Sequence, residues 1–274
     1  MRIYISVDLE GVAGVVHVDQ TRRSGHDYEK ARRWMTAEAN AAIQASFEAG
    51  ASYVLVNDSH ADMRNFILEE LDPRAEFITG NLKPYSMVEG TQQHFDLALF
   101  IGYHAGASSR AGILDHTYFG AVVGHVRVDG REFNEAGLNA LVCGENHIPV
   151  GLVTGDQVAC AQSKELLGEI ETVIVKEGIS RYAARTIHPH ESCKRIYGAT
   201  LKAISRIKEF SPLRLKTAHK LEVDFLNSAM ADAASLVPDT IREGAVTVSY
   251  EARTPERLLR MLQVMTKLAG TTIP

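Results

Sequence analysis

The sequence has only three cysteines, Cys143, Cys160 and Cys193, an odd number, scattered and without C-x-x-C spacing. That pattern speaks against a disulfide framework and against a thiolate zinc site, so any metal would be held by carboxylate and imidazole. Basic charge is also in short supply. Against 34 Asp+Glu there are 29 Lys+Arg, a net charge of -5, which provides no basic surface for nucleic acid. No run approaches the roughly 20 apolar residues that cross a bilayer, and the opening "MRIYISVDLEG" turns acidic too soon for the apolar core of a signal peptide. The expectation is a cytoplasmic protein without a nucleic-acid or membrane partner. Catalytic motifs are missing too: no G-x-S-x-G elbow occurs, and the Gly-rich "EGVAG" lacks both G-x-G-x-x-G and the Walker Lys-Ser/Thr.

What is present is an ordinary globular composition, 45% hydrophobic and 23% charged over 274 residues, enough for one large domain or two smaller ones. Short apolar runs, "RIYISVD", "SYVLVND", "DLALFIGY", "VGLVTGD" and "TVIVK", read as strands. Between the first two, Ala31, Met35, Ala39, Ala42, Ile43 and Phe47 recur at helical spacing, and Gly50 stands where a C-terminal cap belongs. "QVACAQSKELLG" and "NEAGLNALVCGEN" are further helices, and "VGHVRVDGREF" is a hairpin turning at Asp129 and Gly130. Continuous apolar strands alternating with helices indicate an α/β fold, a mostly parallel sheet with helices on both faces. After about residue 185 the pattern shifts to helix, strand, strand and helix, so residues 1–185 are expected to form the metal-binding catalytic domain and 186–274 a smaller α+β portion packed against it.

Parallel strands deliver their following loops to one edge of a sheet, and there chemistry gathers. The first strand ends at Asp8 and Glu10, the second at Asp58 and His60, the third at His104, the fourth at Asp156. Asp8 and Glu10, two apart, point the same way while the chain stays extended. Two carboxylates on one face repel unless a cation lies between them, and a dication favours such oxygen ligands. His60 and His104 add imidazole nitrogens, and Glu135, opening a helix, adds a third carboxylate.

Five such ligands exceed one four-coordinate zinc but suit two metals about 3.5–4 Å apart with a bridging carboxylate. Asp8, short and central, is the natural bridge, shared by one metal on Glu10 and His60 and another on His104 and Glu135. Such a pair generates a nucleophile near neutral pH and polarises a carbonyl. Plainer readings exist for each residue alone. Asp58 and Asp156 fit helix caps or turns, Glu135 fits an early-helix acid, and a lone histidine after a strand is ordinarily just hydrogen-bonded. Convergence from three successive strand ends lifts Asp8, Glu10, His60 and His104 above those readings. His116 lies in a Gly-rich connection from which it can reach the site as proton donor or oxyanion stabiliser. "ISRYAAR" with Lys176, and "NLKPYSMVEG" with Lys83 and Glu89, read as channel-lining or as solvated segments.

The ordered motifs "SVDLEG", "NDSH", "KPYSMVEG", "GYHA" and "NEAGLNA" resemble the M55 family of zinc D-aminopeptidases, in the same order from the first strand to about residue 185 and more loosely beyond. The resemblance implies that Asp8, Glu10, His60, His104 and Glu135 are dizinc ligands with Asp8 bridging, and that His116 is catalytic. It also implies short peptide substrates, D-alanine peptides and amides above all, and a self-compartmentalising homodecamer. Zinc is the family's metal, although manganese and cobalt accept the same mixed shell. Two other readings stand beside this one: a dimetal hydrolase of another amide or of a phosphoester, and a non-catalytic assembly module braced by metal.

Overall fold

The computed structural model describes residues 1–215 and 219–273. The chain runs β1 (Arg2–Val7), α1 (Tyr28–Glu48), β2 (Tyr53–Asp58), β3 (Glu76–Ile78), β4 (Leu97–Tyr103), β5 (Val123–Val128), β6 (Arg131–Glu132), α2 (Glu135–Glu145), β7 (Val150–Asp156), α3 (Gln157–Leu167), β8 (Glu171–Ser180), β9 (Ala183–Thr186), α4 (Pro189–Ser205), β10 (His219–Phe225), α5 (Ser228–Ala234), β11 (Thr240–Arg242), β12 (Thr247–Ala252) and α6 (Pro255–Gly270). One sheet has the order β3-β2-β1-β4-β7-β8-β9. Its neighbours pair in parallel from β3 to β8, and only β9 turns back antiparallel. This is the expected α/β sheet, and its strands carry continuous apolar runs because both faces are covered.

One face is covered by α1 and α4, whose small and apolar residues, among them Ala31, Met35, Ala39 and Ile196, are buried against the sheet. The helix α1 closes as its sequence implies, with Gly50 just beyond it at φ +91°. The other face is covered in part by α2, whose Ala136, Ala140 and Val142 pack with Phe100 and Val153.

A second, antiparallel sheet has the order β11-β12-β10-β5-β6 and is packed on α5 and α6. In β10 the buried residues His219, Leu221, Val223 and Phe225 alternate with half-exposed ones, as expected of a sheet with one covered face. The hairpin turn falls at Asp129 and Gly130, both at positive φ (52° and 76°). Its strands β5 and β6 belong to this second sheet, so the sheet boundary does not fall at residue 185; a connection between β4 and β7 has crossed to join the later strands.

The main sheet's order places the site. From β1 the chain steps outward through β2 and β3, then returns to lay β4 on the other side of β1. Where the order reverses, the loops after β1 and β4 diverge to opposite faces and leave a crevice at their carboxyl ends. Asp8 and His104 stand at its two walls. The ends of β1 and β4 come unusually close: Asp8 N donates to Ile101 O at 2.8 Å and Gly11 N to Gly102 O at 2.7 Å. Gly102 adopts φ +71°, and a Cβ there would lie 2.3 Å from Asp8 O. A side chain at this position is therefore strained in its own backbone and also collides with the backbone that carries Asp8. Gly102→Ala is expected to lower stability by about 3 kcal/mol, read as a shift in the denaturant midpoint; an unchanged midpoint would contradict this account of the crevice.

Candidate metal centre

The segment "LVNDSH" shows how a strand end is shaped to present one imidazole. Asp58 closes β2 but does not reach the crevice. Its carboxylate accepts from Asn65 N at 2.5 Å, Asn65 Nδ2 at 2.8 Å and Phe66 N at 3.0 Å, so it organises the loop that follows. Asn65 Nδ2 in turn donates to His60 O at 2.7 Å. Lys83 Nζ holds the other side of the turn through Asp58 O at 2.6 Å and Asn57 Oδ1 at 2.7 Å. Asp156 likewise has a structural role, accepting from Val158 N and Ala159 N as the N-cap of α3 and from Ile113 N.

Asp8, Glu10, His60, His104 and Glu135, all buried, come together in the crevice. His60 Nδ1 is 2.8 Å from Glu10 Oε2 and 3.4 Å from Asp8 Oδ1, while His104 Nε2 is 3.4 Å from Asp8 Oδ2 and 3.3 Å from Glu135 Oε1. The two oxygens of Asp8 therefore face two different histidines. Glu10 reaches this place by a different route from strand alternation. The strand stops at Val7, and a turn in which Val12 N donates to Leu9 O at 3.2 Å swings Glu10 back beside Asp8. Glu135 is the first residue of α2, fixed there because Asn134 caps the helix through Gly137 N at 2.9 Å.

The protonation pattern shows what the cluster lacks. His60 commits Nε2 to Thr21 O at 2.8 Å, and His104 commits Nδ1 to Ala105 O at 2.9 Å. An imidazole that donates one N–H to a carbonyl turns the lone pair of its other nitrogen toward the carboxylates. Asp8 Oδ2, Glu10 Oε2 and His104 Nε2 are buried there without a hydrogen-bond partner. With both imidazoles neutral, acceptors face acceptors in a buried site, an arrangement that calls for a cation, whether a metal ion or the protons of two imidazolium rings. Among the described residues, two groups have ligand atoms all within 4.8 Å of one another, Asp8 with Glu10 and His60, and His104 with His116 and Glu135. These donors fit a divalent metal of zinc's type.

The same electrostatics shape the titrations. Burial and the adjacent Glu10 raise Asp8 to about 7. Burial opposes charge on His104, but Glu135, then Asp8 and Glu10, overcome it and raise its pKa to about 10. His60 is raised in the same sense by Glu10 and Asp8 against its burial. His116 moves the other way, lowered by burial and by the neighbouring His104.

His116 stacks on His104 with ring centroids 3.9 Å apart and planes 9° from parallel. Stacked rings point their nitrogens side by side rather than toward one point, so His104 with Glu135 would hold a metal and His116 would stand beside it. With Nδ1 bonded to Leu114 O at 2.9 Å, His116 turns Nε2 toward Glu135 Oε1 at 3.8 Å. His116 also borders a cavity of about 710 Å³ whose walls include Ala61, Met63, Met87 and Phe119 and whose floor includes Asp8 and Glu10.

From the segments read as channel-lining, Asn81, Ser86, Met87, Arg181 and Tyr182 do border the cavity. Lys83 and Lys176 do not. Both are buried and bonded to backbone carbonyls, and burial lowers each to about 8. Glu89 accepts from Tyr85 N at 2.8 Å within its own loop. Asn65, Glu38 and Tyr118, which the sequence did not single out, complete the support, Tyr118 N donating to Glu135 Oε1 at 2.6 Å.

The family model for M55 peptidases, described as D-aminopeptidase, matches residues 1–264. A D-aminopeptidase of Bacillus subtilis (strain 168) is 39% identical over 277 residues, covering 99% of each chain. A solved structure, the Zn-dependent D-aminopeptidase DppA from Bacillus subtilis, described as a self-compartmentalizing protease, superposes with a TM-score of 0.97 at 37% identity over 100% of both chains.

Stripped of metal, the cluster leaves protons as its only countercharge. His104 rises from 6.5 when unfolded to about 10 when folded, so its stabilisation is complete below pH 6.5 and is lost as pH climbs through about 10. Asp8, raised from 3.8 to about 7, acts in the same direction at lower pH. Chelator-treated protein should therefore melt at progressively lower temperature between pH 7 and about 10, and metal-loaded protein should not show that fall; a level or rising profile for the stripped protein contradicts the assignment.

Proposed function

The chain belongs to the M55 family of D-aminopeptidases and is a peptide-bond hydrolase of that kind, and we propose that it works in the cytoplasm with two zinc ions per chain on short D-alanine peptides and amides. The observation that carries the two-metal reading is the split of Asp8, one oxygen toward His60 and the other toward His104. Asp8, Glu10 and His60 would hold one ion, and Asp8, His104 and Glu135 the other. The mixed oxygen and nitrogen shell leaves manganese and cobalt as substitutes. Zinc held there supplies Lewis-acid polarisation of the scissile carbonyl and an acidified water.

The remaining work falls to the protein. His116, kept neutral near pH 7 by burial and by His104, has Nε2 free to accept a proton from the attacking water and return it to the departing amine. The Tyr118 N–H fixes the rotamer of Glu135, and the carbonyls of Thr21 and Ala105 fix the tautomers of His60 and His104. A cavity of about 710 Å³ with Met63, Met87 and Phe119 on its wall suits a short peptide with a small side chain. Arg22, Arg181 and Lys267 border the cavity, Arg181 being paired with Asp115 at 2.8 Å, so the preference for an amide over a phosphoester rests on the family.

The self-compartmentalizing relative supports a closed homo-oligomer for this chain as well, and the family resemblance sets its proposed size at ten subunits. Leu226, Leu236 and Ile241, 56%, 79% and 56% exposed beside the second sheet, offer the apolar surface such an assembly would cover. Light scattering on the eluting protein should give a mass near ten chains, and a monomer mass would remove this part of the reading.

The first assay compares zinc-loaded with chelator-stripped protein on D-Ala-D-Ala, L-Ala-L-Ala and their amides, scored by released alanine. Zinc-dependent release from the D-substrates alone is expected; release from the L-substrates would keep the chemistry and remove the chirality. His60→Ala should lose zinc and activity while remaining folded, and full activity in it would sink the ligand assignment. His116→Ala should keep both zinc ions and lose about 10²–10⁴-fold in kcat, whereas loss of zinc would make His116 a ligand instead.

A further inference from the structure

Lys176 has no part in the chemistry above, yet it is 2% exposed, in the middle of β8, with its whole stem in the core. Its three N–H donors all reach backbone carbonyls of one segment: Glu10 O at 2.5 Å, Val12 O at 2.9 Å and Val15 O at 2.5 Å. An ammonium has three donors and no acceptor, so this tripod satisfies it completely and leaves nothing to aim at substrate. Three carbonyl oxygens converging on one buried point would repel one another without a cation there.

The segment it gathers is the one that carries Glu10. Its remaining backbone groups are held too: Gly11 N by Gly102 O at 2.7 Å, Ala13 N by Glu38 Oε1 at 3.0 Å and Gly14 N by Thr186 Oγ1 at 2.9 Å. Of these contacts only the Lys176 bond seizes the carbonyl of Glu10 itself, one peptide from the carboxylate that faces His60. The His104 and Glu135 half has separate supports, in Ala105 O and the Tyr118 N–H.

We propose that Lys176 is the positioning residue of the Asp8, Glu10 and His60 half of the site: its tripod on the carbonyls of Glu10, Val12 and Val15 stands in for a structural cation and fixes the direction of the Glu10 carboxylate. This rests on the ligand reading above. It separates the two halves, because removing the ammonium loosens one metal position and leaves the other.

The test measures zinc binding to the intact assembled protein by competition with a chromogenic chelator, beside steady-state kinetics. Lys176→Met should weaken one of the two zinc ions at least tenfold and leave the second at wild-type affinity, with kcat falling and KM held. Glu10→Gln is the control for the ligands. If it keeps both zinc ions at wild-type affinity, the ligand reading fails. If it loses one while folded Lys176→Met keeps both at wild-type affinity and merely melts lower, the positioning role alone is overturned. Should Lys176→Met not fold, Lys176→Gln, which retains two N–H donors without the charge, gives the same readout. Failure of both variants to fold would make the lysine a requirement of the fold and overturn the proposal.

Discussion

The carboxylate of Asp8 is wedged between His60 and His104, one oxygen facing each, and much of the structure is arranged to keep it there. Left to itself the arrangement is unfavourable: three carboxylates lie within a few ångströms in a buried crevice, where each desolvated charge costs several kcal/mol of order. It persists because its backbone is over-determined. The end of β1 is pinned to β4 through Asp8 N, to the loop after β2 through Ser59 N and Val7 O, and to β4 again through Gly11. A rigid frame of this kind holds donors in ligating positions before a metal arrives, which lowers the ordering cost of binding.

The topology explains why Asp8 holds that position. At the reversal of strand order, β1 lies between β2 and β4, so the residue after it stands beside both following loops. In the proposed two-metal reading the bridging ligand would come from there and the terminal ligands from the flanks: His60 after β2, His104 after β4, and Glu135 from the helix packed over β4. The proposed division into bridge and terminal ligands thus follows from strand order as much as from residue type.

Those same features decide what could be read from the sequence. Asp8, His60 and His104 stand at the ends of continuous apolar runs, so a strand-by-strand reading finds them, and Asn134 before Glu135 signals a helix start that fixes where that carboxylate lies. Alternation along an extended strand predicts that Glu10 lies beside Asp8, and the structure brings it there through the turn at residues 9–12. Elements too short to show a period went unread, namely the three residues of β3, the "AART" of β9, the three of β11 and the seven of α5. The hairpin of β5 and β6 was legible, but its sheet was not, because partnership with β10 is settled across roughly a hundred residues by packing rather than by local pattern. The buried lysines were hidden for the same reason. In "TVIVKEG" a lysine looks like the solvent face of a strand, and only the tertiary structure brings the carbonyls of residues 10–15 to it.

The strand β8 and its return β9 therefore act on the site without contributing a ligand. At one point β8 holds the Glu10 segment through Lys176. Further along, Gly178 passes so close to Ala111 O that a Cβ would lie 1.9 Å away, and at the tip Arg181 holds the His116 loop through Asp115 at 2.8 Å and through its own carbonyl, which accepts from Leu114 N at 3.0 Å. One hairpin thus braces the segment that carries Glu10 and the loop that carries His116, the proposed proton acceptor. Because both attachments run through the same pair of strands, the spacing between Glu10 and His116 is set by the rigidity of a hydrogen-bonded ladder rather than by two independent loops. Reactions that need a proton acceptor at a fixed distance from an electrophilic centre benefit from that constraint, since an error of about 1 Å in such a site can cost about 10²-fold in rate.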